Sequence, residues 1–290
     1  MNSILYHLLM TDPYVVCIFI FIAIATLSLW LFKTRYIFFL CLAGAFSLAF
    51  MTETLTVGRL ICFCVLILLF YLLNKQRPKL LTAGLFTLAT LLSLGIIFGI
   101  FPPDKLLHTI TSVQLSKNTP PLSLTLSINE AVVGLLPLAL CIPLSRNRFT
   151  WNLVWKKTAL ITVLIILVFF SAGTFAHLLS WKPHTSSFAF SFLFANFFLV
   201  VIPQEAFFRG FLQRQFALFF HKPALKFSAI IFSSVIFSFI QLSFISDWHL
   251  LALGFSTSLM IGVLYYITSS IESVIFSHFV LNVIHFFLFT

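Results

Sequence analysis

Residues 203–216 read Pro203-Gln204-Glu205-Ala206-Phe207-Phe208-Arg209-Gly210-Phe211-Leu212-Gln213-Arg214-Gln215-Phe216. They follow an apolar run, Phe188 to Ile202, long enough to cross most of a bilayer. A carboxylate, Glu205, and a guanidinium, Arg209, therefore sit at or near membrane depth. A charge at the centre of a membrane helix costs on the order of 3 kcal/mol on insertion scales. On a helix the two residues are four apart and share a face, so each lowers the cost of the other. Such a pair reads either as a structural clamp between helices or as part of a site.

Composition sets the class around this stretch. The chain has 290 residues, 61% of them hydrophobic and 8% charged. A soluble core cannot use that much apolar surface, and the apolar runs are too long for buried helices of a globular domain. The alternating pattern of an outer-membrane barrel is missing. The expected fold is all-α: a polytopic transmembrane helix bundle of about ten spans. They fall near Tyr14–Phe32, Tyr36–Met51, Leu60–Leu73, Leu80–Phe101, Ala131–Leu144, Thr158–Leu179, Phe188–Ile202, Phe227–Ile245, Leu250–Thr268 and Ile271–Thr290. The second, third and fifth are short for a bilayer. The first lacks the basic start and the cleavage site of a signal peptide.

The basic residues alternate from loop to loop. Those after spans one, three, five and seven hold thirteen of the seventeen Lys and Arg; Arg59, Lys105, Lys117 and Lys182 remain for the other side. The positive-inside rule then puts the N-terminus outside and the loops after odd-numbered spans in the cytoplasm. The membrane expected is a bacterial cytoplasmic (inner) membrane. The net charge of +10 is a topology signal rather than a sign of nucleic-acid binding, because no basic stretch is long or interleaved with aromatics.

The longest loop, Pro102 to Ser127, carries two Pro-Pro pairs. It divides an accessory N-terminal part, 1–127, from a working C-terminal half, 128–290. The five cysteines, Cys17, Cys41, Cys62, Cys64 and Cys141, all lie in apolar runs and read as small core side chains.

Two further spans carry polar groups. In the last, His278, Asn282 and His285 are spaced by four and three residues, so they share one helix stripe. That stripe belongs in the bundle interior, as hydrogen-bonding glue or as a site. In the eighth, Gln241 is the one large polar side chain, and Ser233, Ser234 and Ser238 are most simply bonded back to their own helix. No serine lies in a nucleophile-elbow pattern. The His-Glu-x-x-His of membrane zinc proteases does not occur, although Glu205, His278 and His285 include enough ligand types for a metal.

Three segments in order resemble the CAAX protease and bacteriocin-processing family of intramembrane glutamic endopeptidases. The family's Glu-Glu-x-x-x-Arg appears as Gln204-Glu205-Ala-Phe-Phe-Arg209, followed by Gly210. Its Phe-x-x-x-His appears as Phe237-Ser-Phe-Ile-Gln241. Its His-x-x-x-Asn is intact as His278-Phe-Val-Leu-Asn282. The resemblance covers about 188–290; the first half resembles nothing we can name.

The resemblance implies peptide cleavage at the membrane, with no cofactor and no metal. In the family, the first glutamate and the second-motif histidine activate a water, and the third-motif histidine and asparagine hold the oxyanion. Here Gln204 and Gln241 replace the two water-activating residues, and an amide is not a base. Glu205 is then the expected base, oriented by Arg209, with His285 or His249 helping. His278 and Asn282 are the expected oxyanion donors, and Gln204 and Gln241 polar wall or water-positioning residues. The partners are the lipid bilayer and a peptide or protein substrate. One alternative is a catalytically silent pseudoprotease that binds a substrate or confers immunity. Another is a transporter, although no paired broken helices occur in matching halves.

The topology is directly testable. With the five native cysteines removed, a cysteine at Ser145 or Asn147 should resist an impermeant thiol reagent applied from outside. Labelling from outside would invert the assignment.

Overall fold

In the computed structural model, the described residues are 13–32, 34–75, 78–100, 109–113, 122–125, 128–144, 148–185, 189–220, 222–241 and 248–289. Among them the chain is helical apart from one two-stranded hairpin. The helices are α1 (Pro13–Leu31), α2 (Tyr36–Met51), α3 (Val57–Leu73), α4 (Lys79–Ile97), α5 (Ile128–Leu140) and α6 (Arg148–Phe175). They continue with α7 (Ala189–Leu218), α8 (Pro223–Gln241), α9 (Trp248–Thr268) and α10 (Ile271–Leu288). The hairpin, β1 (Thr109–Val113) with β2 (Leu122–Thr125), is antiparallel and falls inside the long loop. The loop around Ser145 and Asn147, and the basic residues Lys33, Arg77, Lys105, Lys117 and Arg146, lie outside the described residues. So do the span ends drawn at Phe101, Phe188, Ile245 and Thr290.

The protein is an all-α multi-pass membrane protein. Six of these helices are long and apolar enough to cross a membrane: α1, α4, α6, α7, α9 and α10. Tyr36–Met51, Val57–Leu73, Ile128–Leu140 and Leu225–Gln241 are apolar but shorter. Their outward faces carry large apolar side chains such as Leu40, Leu68 and Phe239, as a bilayer-facing surface requires. Cys17 and Cys64 lie on such exposed faces rather than in the core, whereas Cys141 is buried.

Helix ends follow local chemistry. Thr56 caps α3 by accepting from the Arg59 amide at 3.3 Å, and Ser270 caps α10 by accepting from the Ser273 amide at 3.3 Å. α4 stops at Ile97, short of the Phe101 expected from hydropathy. Gly99 takes a left-handed φ of 65°, and the Ile100 amide reaches back to Gly95 O at 3.0 Å. That is the Schellman ending, which glycine adopts at little cost. α6 ends the same way at Phe175 rather than Leu179, but with His177 at φ 56° and Leu178 N bonded to Gly173 O.

The largest departure from the hydropathy reading is α7. It was expected to stop at Ile202, just before the motif, yet it runs on through the motif to Leu218, 30 residues in all. Pro203 has no amide to donate and would ordinarily break the ladder. The turn before it, Asn196–Val201, is π-helical, as is Ala206–Gln213 after Glu205. Insertions of this wider coil are a known accommodation inside α-helices and recur at functional sites.

The chain divides into two compact units: Met1–Cys141 with Thr185–Gln204, and Ile142–His184 with Glu205–Thr290. In the first, α1 packs on α2, α3 packs on α4 and α5, and the Asn196–Val201 turn lies against α1 and α5. In the second, α9 packs on α6, α8 and α10, and the Ala206–Gln213 coil meets α8, α9 and α10. The segment after α6 joins the end of α10: the Lys182 and His184 amides donate to Leu288 O and Phe287 O, both at 2.9 Å.

Gly134 is where α5 meets α7. A Cβ there would overlap the Pro203 backbone, which has no side-chain torsion to swing aside. Gly134→Ala should therefore lower stability by about 1–3 kcal/mol, the usual cost of overpacking. Thermal unfolding of the purified protein would measure it; an unchanged midpoint would mean the two helices do not close on this glycine.

Candidate functional site

The polar residues of α7 form a stripe spaced by four: Glu205, Arg209 and Gln213, all buried. Arg209 is fully enclosed. Its Nε lies 3.4 Å from Glu205 Oε2, an ion pair without hydrogen-bond geometry. Its other nitrogens donate outward: Nη1 to Ser233 Oγ of α8 at 3.2 Å, and Nη2 to Ser258 Oγ of α9 at 2.8 Å. One turn on, Gln213 Nε2 donates to Gly262 O of α9 at 2.8 Å. Gly262 permits that approach, because a Cβ there would meet Ile230 and Gln213 itself. The guanidinium is thus held on three helices. Ser233 both donates to Ile230 O, as expected of a back-bonded serine, and accepts from Arg209. Ser238 is back-bonded to Ser234 O. The buried Ser234 hydroxyl has no hydrogen-bond partner among the described residues.

The Glu205 carboxylate also faces α10. His278 Nδ1 donates to Glu205 Oε1 at 2.7 Å, and both side chains are buried. The contact joins residues 73 positions apart. A carboxylate accepts, so the Nδ1 proton is committed to it. When the ring is neutral, Nε2 carries a lone pair; when the ring is charged, Nε2 is a donor. The ring itself lies on the wall of the cavity described below.

α10 is held in register against α6 by two hydroxyl pairs. Thr158 Oγ1 donates to Ser273 Oγ at 2.9 Å, and one turn on Thr162 Oγ1 and Ser277 Oγ lie 2.5 Å apart. All four are buried. Ser277 immediately precedes His278, so this ladder fixes the height of the imidazole relative to α6.

Phe237, the aromatic of the second motif, links the other two. Its ring lies 5.8 Å from the Arg209 guanidinium carbon and 6.5 Å from the His278 ring centroid, the latter at 75°. The first contact is a cation–π arrangement. Phe208 meets the same ring edge-on at 5.0 Å. The three motifs therefore touch through one phenyl ring.

These groups line a cavity of about 150 Å³. Glu205, Arg209, Gln241, His278 and Asn282 all lie on its wall. Gln204, half-buried, does not line it. His285 lines it as well, with its ring beside Phe169 and Phe170. His249 does not, and stacks on Trp248 instead. Glu272 accepts from Ser270 Oγ at 2.8 Å in the first turn of α10 and is not at the wall. Among the described residues, no group of three His, Cys, Asp or Glu side chains is placed to hold a metal ion.

Sequence reasoning did not anticipate Ser258, Phe169 or the ladder to α6. Ser258 carries one faint signal, its position between Gly254 and Gly262 at intervals of four. Thr158 and Thr162 repeat the i, i+4 spacing of Ser273 and Ser277, a match visible only once the two helices are known to be neighbours.

Fold and site together define a polytopic helical membrane protein with a buried carboxylate–imidazole couple opening on a small cavity. Residues 185–284 match the family model described as Rce1-like, Type II CAAX prenyl endopeptidase Rce1-like. The matched segment takes in all three motifs, and the resemblance read from them is thereby found independently over the helices that carry them. No curated protein and no solved structure matches the chain.

Removing one support of the guanidinium tests the clamp. Ser258→Ala should cost about 1.5–3 kcal/mol, the range for a hydrogen bond to a charged group. Arg209→Met, which strips Glu205 of its counter-charge, should cost more, about 3–5 kcal/mol. Equal and negligible losses in unfolding measurements would show that the buried arginine is not clamped.

Proposed function

We propose that this protein is an intramembrane endopeptidase that hydrolyses a peptide or protein substrate with a water activated by the Glu205–His278 couple. The 2.7 Å contact between Glu205 Oε1 and His278 Nδ1 at the cavity wall carries this reading. The family match supports the class of reaction. Glu205 itself is only 1% exposed, so its basicity reaches the cavity through the imidazole. The carboxylate orients the ring. Nε2 takes a proton from water as the hydroxide attacks the peptide carbonyl. It then returns that proton to the leaving nitrogen as the C–N bond breaks. In this arrangement Glu205 remains the essential carboxylate, and His278 supplies the lone pair rather than only an oxyanion donor. The amides of Asn282 and Gln241 face the developing oxyanion, where such donors are worth several kcal/mol in a water-poor site. Arg209 positions Glu205. Gln204, away from the cavity wall, keeps no role in the chemistry. The helices upstream of the hairpin are accessory, and the N-terminus lies outside a bacterial cytoplasmic membrane.

A second reading rests on Gln241. It occupies the cavity wall where the family's histidine belongs, and an amide cannot take a proton from water. A silent descendant that binds a substrate without cutting it would keep such a wall.

One peptide substrate and four proteins separate the two. Glu205→Gln and His278→Gln should each lower cleavage by about 10²–10⁴-fold, the usual worth of acid–base help. Chelators should have no effect. The double change Gln204→Glu with Gln241→His restores the family pattern, and should alter the rate little if the wild type is active. If the wild type is silent and the double change creates cleavage, the pseudoprotease reading holds. Wild-type cleavage that survives Glu205→Gln would refute the couple.

A further inference from the structure

α9 presents one stripe to the cavity: Leu250, Leu251, Gly254, Thr257, Ser258 and Ile261. This is the i, i+3, i+4, i+7 spacing of a single helix face. Gly254 sits in the middle of it with no side chain. Among the described residues a Cβ built there meets no atom within 4 Å, whereas one on Gly262, two turns on, would meet Ile230 Cγ2 at 2.6 Å. Crowding by α7 and α8 therefore accounts for Gly262 and leaves Gly254 unaccounted for. Glycine in a helix interior weakens the helix relative to alanine. What glycine offers in return is close approach of a ligand to the backbone. The cavity supplies the place for that approach.

We propose that Gly254 is the aperture of the cavity, and that its missing side chain sets the size of the substrate residue that reaches the Glu205–His278 couple. The inference rests on the endopeptidase reading. The residue admitted is an apolar one of the peptide, because Phe169, Leu250, Leu251 and Leu281 line the same cavity.

Two measurements on the full-length protein in proteoliposomes decide it. In a background freed of the five native cysteines, Gly254→Cys is exposed to a small water-soluble methanethiosulfonate. Gly84→Cys serves as control, since among the described residues a Cβ at Gly84 also meets no atom within 4 Å, but Gly84, on α4, does not line the cavity. Labelling should be clearly faster at position 254; equal or slower labelling overturns the aperture. Next, wild type, Gly254→Ala and Gly254→Leu are compared on a mixed peptide library read by mass spectrometry. Gly254→Ala favours the helix, so its losses are not losses of fold, and thermal unfolding checks both variants. Gly254→Leu should lose about tenfold or more on peptides with bulky apolar residues at the cut, as pocket filling does elsewhere. Peptides with glycine or alanine there should be spared. A uniform loss, or none, overturns the size selection. Fast labelling with no cleavage by the wild type refutes the endopeptidase reading and the selection with it, and leaves the aperture standing. Cleavage with slow labelling refutes the aperture and leaves the reading standing.

Discussion

A carboxylate inside a membrane bundle needs partners, and Glu205 has two: the guanidinium of Arg209 on its own helix and the imidazole of His278 from α10. Much of the second unit can be read as the means of keeping those three groups together. Without the arginine, the carboxylate would lose its permanent counter-charge and keep only the imidazole, a costly arrangement in a low-dielectric interior. Without the serines of α8 and α9, the guanidinium would leave two of its donors unmet. The hydroxyl ladder to α6 helps to fix the height of α10. Each support is modest, and they act on one point.

The π-helical coil of α7 belongs to the same constraint. Residues four apart on this helix must all face inward: Glu205 toward α10, Arg209 toward α8 and α9, and Gln213 toward Gly262. The wider coil at Ala206–Gln213 begins right after Glu205. A similar stretch precedes Pro203, whose missing amide would otherwise leave a defect in the ladder. Local irregularity concentrated on the segment that carries the charges is the pattern expected when geometry at a site outweighs helix regularity.

Much of this was legible in the amino-acid sequence. Glu205, Arg209, His278 and Asn282 stand out because charged and amide groups are costly in apolar runs, and their four-residue spacing puts each pair on one face. That the chain is a helical membrane bundle was legible from run length. What hydropathy cannot supply is where a helix stops by backbone geometry. Gly99 and His177 end their helices through left-handed turns inside sequence that is still apolar. Nor can it show that α7 passes through Pro203, because proline read locally says stop. Phe237 stands out only through its place in the second motif: in a chain with 39 phenylalanines, nothing in its apolar setting says that its ring lies against both Arg209 and His278. Ser258 is hidden for a similar reason, since a small hydroxyl on an apolar helix most often bonds back to its own turn.

The contact between Glu205 and His278 is the claim on which site and chemistry both stand. A double-mutant cycle measures it without a substrate. Unfolding free energies would be determined for the full-length wild type, Glu205→Gln, His278→Gln and the pair together. The account predicts a coupling of about 0.5–3 kcal/mol, the range for residues in direct contact. Single-variant losses that add to within about 0.5 kcal/mol would place the two side chains out of contact and contradict it.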